Sequence, residues 1–283
     1  MGILYIVGTP IGNLKDMTER ALEVLQSVSL IACEDTRTSG VLLKHFNINK
    51  KLVSYHKFNE KEKSAFLIEK LKNGDNIALI TDAGCPCISD PGYILTCQAI
   101  KNNIEVIAIP GASAVITSLM CSGMDTSSFT FYGFLNREKK KMQEELEKLQ
   151  QDSSNLIVIY ESPKRIKKTL MVIDEIMDNP YICLANDLTK KFEKKYYGTV
   201  HEVLEKLNNN SQSELGEYVL IIEKKQKEKQ NNENKISCEA LIIDVMIKSN
   251  CTMKEAIKIV SEEYHFPKNM VYDASLSIKK MFE

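Results

Sequence analysis

The stretch Thr81–Gly92, "TDAGCPCISDPG", follows directly on the apolar run Ile77-Ala78-Leu79-Ile80. A short apolar run closed by glycine and proline reads as a buried strand leaving its sheet. Two glycines, two prolines and two cysteines in this stretch are more punctuation than a plain turn requires. Glycine lets a ligand approach the backbone and proline fixes loop shape, so the loop reads as one wall of a small-molecule pocket. Three other runs end in unusual loops: Leu4–Val7 in "GTPIGN", Leu30–Cys33 in "EDTR" and Val106–Ile109 in "PGASA". In an open parallel sheet all carboxyl ends share one edge, and ligands bind in the crevice there. The expected class is α/β, a parallel or mixed sheet flanked by helices.

Amphipathic stretches fill the gaps between these runs. Asp16 with Glu19 reads as a capping-box-like start of a helix through Leu25, and Glu62–Leu71 as another helix. Asp90 is expected as an N-cap with Pro91 in the first helical position, opening a helix through Ile100. In the second half, strands are expected at Phe129–Tyr132, Leu156–Tyr160, Ile182–Ala185 and Glu217–Ile222. Helices are expected there at Lys139–Leu149, Arg165–Ile176 and Glu202–Leu207. The run Lys224–Lys235, "KKQKEKQNNENK", contains no hydrophobic residue and reads as a solvated linker. Beyond it, Ile236–Glu283 reads as helical, with a capping box at Thr252 and Glu255 and a break at Phe266-Pro267. The expected organisation is an α/β domain over 1–112, a second over 113–223, a linker over 224–235 and a helical module over 236–283.

Composition narrows the function classes. The 283 residues are 43% hydrophobic and 27% charged, enough for a sizeable core. A formal charge of -1 means that any nucleic-acid surface must be local. The eight cysteines include no CxxC pair and read as reduced thiols, so no metal site is expected. The N-terminus lacks a signal-peptide pattern, and no apolar run approaches membrane-spanning length, so a cytoplasmic protein is expected. "GTPIGN" is not the GxGxxG of a dinucleotide fold, and no GxxxxGK[ST], HExxH or GxSxG occurs. Glu34 and Asp35, at a strand end, suit hydrogen bonds from ribose hydroxyls. From the residues alone, the ligand is adenosine-like.

Six ordered blocks, "LYIVGTPIGNL", "IACEDTR", "TDAGCPCISDPG", "IPGASA", "IYESPKR" and "GEYVL", together resemble the bacterial small-subunit rRNA cytidine 2'-O-methyltransferases of the tetrapyrrole methylase superfamily. The resemblance runs from about residue 3 to 223. Gly8 stands where that family usually has Ala, Cys85 and Cys87 where it has Thr and Leu, and Asp187 where it has Glu. The resemblance implies two α/β domains of the tetrapyrrole methylase type with the cofactor in the cleft between them, plus a small C-terminal helical module. It implies S-adenosylmethionine as cofactor, 16S rRNA within the small ribosomal subunit as substrate, and a homodimer.

Carried over by resemblance, the cofactor lies against Thr9, Pro10, Gly84, Cys85, Pro86, Ser89, Asp90, Ser113 and Ala114, with Tyr160 and Leu188 from the second domain. Helix capping is an alternative role for Asp90 and Ser113. Methyl transfer needs in-line approach of the attacking oxygen at about 3 Å, so positioning supplies much of the rate. Lys190 is expected as a desolvated, neutral base with Asp35 orienting the ribose, and Glu161 is a third catalytic candidate. RNA contacts are expected from Asn13, Arg37, Lys164, Arg165 and Lys191, with Phe192, Tyr196 and Tyr197 able to stack on bases. Two other readings remain: a superfamily methyltransferase acting on a tetrapyrrole or a protein side chain, and a non-catalytic ribosome-assembly factor.

Overall fold

The computed structural model describes residues 1–224, 237–263 and 268–282. The expected linker 224–235 lies outside them except for Lys224, and so does the Phe266-Pro267 break.

The first sheet comprises β1 (Ile3–Val7), β2 (Leu30–Cys33), β3 (Lys51–Ser54), β4 (Ile77–Ile80) and β5 (Glu105–Ile109), all parallel in the order β3-β2-β4-β1-β5. Every residue of β2 and β4 is buried, as expected of interior parallel strands covered on both faces. Their side chains alternate between two cores. Ile77 and Leu79 pack with Leu67 and Leu71 of α3 (Glu60–Lys72) and Leu95 of α4 (Tyr93–Lys101). Ala78 and Ile80 pack with Leu25 of α1 (Glu19–Ser27) and Leu43 of α2 (Thr36–His45). Each fully buried Leu or Ile contributes about 1.5–3 kcal/mol.

Two helix starts differ from the sequence reading. Thr18, not Asp16, caps α1 by accepting from the Ala21 amide, while Asp16 closes a short 3-10 turn. Gly92, with φ +143°, occupies the N-cap of α4, so the helix begins beyond Pro91 and Asp90 caps nothing. Strand β3 was not expected either, because its four residues begin on an exposed lysine.

The second sheet comprises β6 (Phe129–Phe134), β7 (Leu156–Glu161), β8 (Tyr181–Asn186), β9 (Lys194–Thr199) and β10 (Tyr218–Glu223) in the order β6-β7-β10-β8-β9. Only β6 and β7 run parallel. Helices α6 (Lys139–Gln151), α7 (Ile166–Met177) and α8 (Val200–Asn208) cover one face, and α8 opens with a reciprocal Thr199/Glu202 capping box. On the other face Val115 and Leu119 of α5 (Ala114–Met120) pack against Val158, Val219 and Ile221. Edge strand β9 was missed because "KKYYGT" opens with charge and contains glycine.

Both sheets belong to one compact unit, Met1–Lys224. Lys224 is not a linker residue. Its buried ammonium donates to the Leu149 and Asp152 carbonyls at the end of α6. The second unit contains α9 (Cys238–Ser249), α10 (Met253–Glu263) and α11 (Lys268–Phe282), packed on Ile242, Ala256, Val260 and Val271. At the start of α10, both the Thr252 amide and hydroxyl donate to Glu255, so only half of the expected capping box forms. All eight cysteines are free. No helix among the described residues is long and apolar enough to cross a membrane.

Candidate active site

The loops after β1, β4 and β5 converge because their strands are parallel neighbours. Thr9 fastens two of them. Its amide donates to the Gly84 carbonyl (2.8 Å), the Gly84 amide donates back (3.2 Å), and its hydroxyl donates to the Thr81 carbonyl. Gly8 and Gly111 let the first and third loops touch: a Cβ on Gly111 would stand 2.7 Å from the Gly8 Cα.

These loops and the second sheet enclose a cavity of about 360 Å³, within the range of small-molecule sites. The first sheet supplies Gly84, Cys85, Ile88, Ser89 and Asp90, with Ile11 and Ser113 from the flanking loops and Ala114 from the start of α5. The second supplies Phe134, Tyr160, Glu161, Leu188, Glu217 and Val219. Of the expected cofactor residues, Gly84, Cys85, Ser89, Asp90, Ser113, Ala114, Tyr160 and Leu188 line this space. Thr9, Pro10 and Pro86 do not; all three are buried beside it, and Thr9 acts through the Gly84 loop. Ile11, Ile88, Phe134 and Val219 were not anticipated. Phe134 follows an irregularity at Gly133 (φ +86°), which no sequence period marks.

Strained backbone clusters around the cavity. Cys87 and Ser89 (φ +71° and +64°) lie on one side, Asp187 and Thr189 (φ +50° and +65°) on the other. For residues other than glycine, and β-branched threonine above all, such conformations cost on the order of 1–3 kcal/mol each and gather at functional sites. Gly12 lets the two sides approach, since a Cβ there would meet the Lys190 side chain at 2.5 Å and the Leu188 carbonyl at 3.0 Å.

The electrostatics single out Asp90. Its carboxyl is pushed up to about 6 by burial, with further contributions from the charges of Glu34 and Asp82. Tyr160 is pushed up to about 12, again chiefly by burial. Ser113 caps α5 through the Ile116 amide, so its hydroxyl has a structural task as well as a place in the wall.

The three catalytic candidates fall in different surroundings. Lys190 is not a neutral lysine. Burial lowers its pKa, but hydrogen bonds to Asp187 (2.9 Å) and Glu217 (3.2 Å) outweigh this and raise it overall. Glu161, 2% exposed, is engaged by the Ser162 amide, the Thr169 hydroxyl (2.6 Å) and Arg165 (3.3 Å), which makes it a structural knot at the cavity wall. Asp35 is in a second cavity, with Glu34. It caps α2 and is held at about 2 by its hydrogen bonds with Arg37.

The RNA candidates also separate. Lys164 is exposed, and exposed Lys191 stands over the Phe192 ring at 5.4 Å. Arg37 is exposed although paired with Asp35. Arg165 instead brackets the fold, donating to the Leu135 and Asn136 carbonyls. Asn13 caps the 3-10 turn through the Lys15 amide. Tyr196 accepts from Asn210, and Tyr197 donates to the Cys121 carbonyl, so of the three expected aromatics Phe192 is the most exposed. Among the described residues, no group of three or more His, Cys, Asp or Glu is placed to hold a metal ion.

A methyl-donor nucleoside fits this site. The apolar walls suit a purine and a sulfonium, which gains nothing from a tight carboxylate partner once its charge is to be lost. The open-backbone loop at Gly84 and the Asp90 carboxyl supply polar partners for the rest of the molecule.

Comparison with known proteins agrees. The family model described as tetrapyrrole (corrin/porphyrin) methylases matches residues 3–204. The Haemophilus influenzae "Ribosomal RNA small subunit methyltransferase I" is 44% identical over 98% of this chain and 97% of its own. A Mycoplasmopsis pulmonis protein of the same name is 46% identical over 222 residues, 78% of this chain and 97% of its own. Among solved structures, diphthine synthase superposes with a TM-score of 0.63 at 15% identity, covering 80% of this chain and 90% of that one. Uroporphyrin-III-C-methyltransferase from Thermus thermophilus does so with a TM-score of 0.56 at 18% identity, covering 79% and 95%. By its family match and its near-full-length relatives, the chain belongs to the tetrapyrrole (corrin/porphyrin) methylase family of S-adenosylmethionine-dependent methyltransferases.

Proposed function

We propose that this protein methylates the ribose 2'-hydroxyl of a decoding-centre cytidine in 16S rRNA, on the small ribosomal subunit, as a cytoplasmic homodimer. The observation that carries this reading is the 44% identity, over nearly the whole of both chains, to a protein named as a small-subunit rRNA methyltransferase. The shorter Mycoplasmopsis relative is about as long as the first unit, which argues that the chemistry resides there rather than in the three C-terminal helices.

When bound, S-adenosylmethionine supplies the electrophilic methyl group. The chain's own residues bind, orient and exclude water. Ile11, Ile88, Phe134 and Leu188 form dry walls, which strengthen the polar contacts made inside. Asp90 and the Ser89 loop accept hydrogen bonds from the donor's polar groups. Lys190, held as an ammonium by Asp187 and Glu217, serves as a fixed cation near the acceptor's phosphate rather than as a base. A strong base is unnecessary, because the hydroxyl proton becomes acidic as the new C–O bond forms and the C–S bond breaks, and it passes to solvent water on the acceptor side. Arg37, Lys164 and Lys191 are proposed to meet backbone phosphates.

The test is methyl-labelled S-adenosylmethionine with small subunits from cells lacking this modification, the label being mapped by nuclease digestion. Label on the 2'-oxygen of one cytidine is expected. Cofactor binding without labelled rRNA would point to another acceptor, such as a tetrapyrrole or a protein side chain.

A further inference from the structure

A second cavity of about 450 Å³ lies at the carboxyl ends of β2, β3 and β4. It shares no lining residue with the first, yet Asp82 in its wall is followed directly by Ala83 in the wall of the other. Its chemistry is distinct. Phe58 is 93% exposed, with the His56 ring edgewise to its own at 6.1 Å between centroids. An aromatic side chain buries a large area wherever it packs, so one held open at a cavity rim is a platform without its partner.

The floor is rich in acceptors. Glu34 and Asp82 face the same space, and burial together with the Asp82 charge raises the Glu34 carboxyl. His56 turns Nε2 toward the Asn59 amide nitrogen (3.4 Å), while its Nδ1 is buried without a hydrogen-bond partner among the described residues. The rim carries exposed Lys57 and the Arg37 guanidinium, fixed in place by Asp35. Acceptors that repel one another call for a ligand with paired donors on one edge. A flat face calls for a ring, and cations at the rim call for phosphate.

We propose that this cavity is a nucleobase subsite for the acceptor nucleotide, with Phe58 stacking on the base, Glu34 and Asp82 accepting from its exocyclic amino group, and Arg37 and Lys57 meeting the adjoining phosphates. The inference rests on the RNA ribose as acceptor. A 2'-hydroxyl is one sugar away from its own base, which fits two cavities separated by a single peptide step. Carboxylates accept from the exocyclic amino group of cytosine and cannot accept from the O4 that uracil presents in its place.

The experiment uses the full chain with undermethylated small subunits. Phe58 is exposed, so Phe58→Ala opens no core cavity. It is expected to lower kcat/KM for the subunits roughly tenfold through KM, given the usual worth of stacking on an aromatic. Phe58→Trp should restore the value to within about threefold, with the Kd for S-adenosylmethionine unchanged in calorimetry. Glu34→Gln should raise transfer to subunits carrying uridine at the target position, because an amide can donate to uracil O4. Zero-length ultraviolet crosslinking of the wild-type complex should join a nucleotide to the Phe58 peptide. Activity of Phe58→Ala within about twofold of wild type would overturn the subsite. So would RNA crosslinks confined to other segments, or a ribosomal protein crosslinked at Phe58. If the wild type transfers no methyl group to rRNA, the proposed function fails, and the crosslink alone then decides whether Phe58 binds a base.

Discussion

Five parallel strands in the first sheet deliver their carboxyl ends to one edge, so the loops after β1, β4 and β5 arrive together at the cavity. In the second sheet β10 runs against both its neighbours, and the cavity meets the end of β7, the turn after β8 and the start of β10 in one register row, Glu161, Tyr218 and Asn186. That side presents mainly side chains: Tyr160, Leu188, Val219. The difference suggests a division of labour. The loop-built side, with the Asp90 carboxyl, suits the shaping of a pocket around a cofactor, and the strand-built side suits closing over it and carries Glu161, Lys190 and Glu217.

If the two sides must meet, the largest effect should come from Gly12, where they touch. Gly12→Val drives a branched side chain into the Leu188 carbonyl and the Lys190 stem, and cofactor binding should fall below detection in calorimetry while circular dichroism stays native. Binding within threefold of wild type would show that the two sides need not meet.

Asp90→Asn isolates the first side. Cofactor Kd at pH 7.5 should rise roughly tenfold or more, the usual worth of a charge-assisted hydrogen bond. Stability should move the other way. The folded carboxyl is pushed up to about 6, above the 3.8 of an unperturbed aspartate, so the folded protein binds more protons between these values. Its charge therefore costs stability progressively as pH rises through that window, and fully above it. Unliganded Asp90→Asn should thus be more stable than wild type by on the order of 1 kcal/mol at pH 7.5 and equal to it near pH 4, measured by urea unfolding.

On the second side, Lys190→Ala should lower kcat/KM for rRNA about tenfold, whereas Lys190→Arg should keep most activity and leave the pH–rate profile in place. Equal loss in both variants, with a displaced profile, would restore the neutral-base role. The smallest catalytic effect should be that of Glu161→Gln. It should lower stability by about 1–3 kcal/mol through its partners, buried Thr169 and half-buried Arg165, yet leave cofactor affinity within about threefold.

The same contrast explains what was legible in the sequence. The Thr81–Gly92 loop announced itself as a pocket wall because its glycine and proline punctuation is continuous in sequence, while the family resemblance assigned Gly84, Ser89 and Asp90 within it. The second side is assembled from separate segments spread from Phe134 to Val219, and little in Phe134 or Val219 says which strand end it occupies. Tyr160 and Leu188 were reached only through the family resemblance. Local chemistry misled at two places. Asp90-Pro91 looks like a helix start, but Gly92 with its positive φ takes the cap and frees the aspartate for the cavity. Lys190 looks like a lone desolvated amine, but Glu217, 27 positions along, arrives beside it.

The paired amides of Thr9 and Gly84 have a consequence in time as well as in space. Each bond closes the same gap, so neither loop can swing away without breaking both. Their protons should therefore share one opening free energy in hydrogen exchange, higher than that of the neighbouring loop residues. Whatever enters the cavity meets the two loops as one wall.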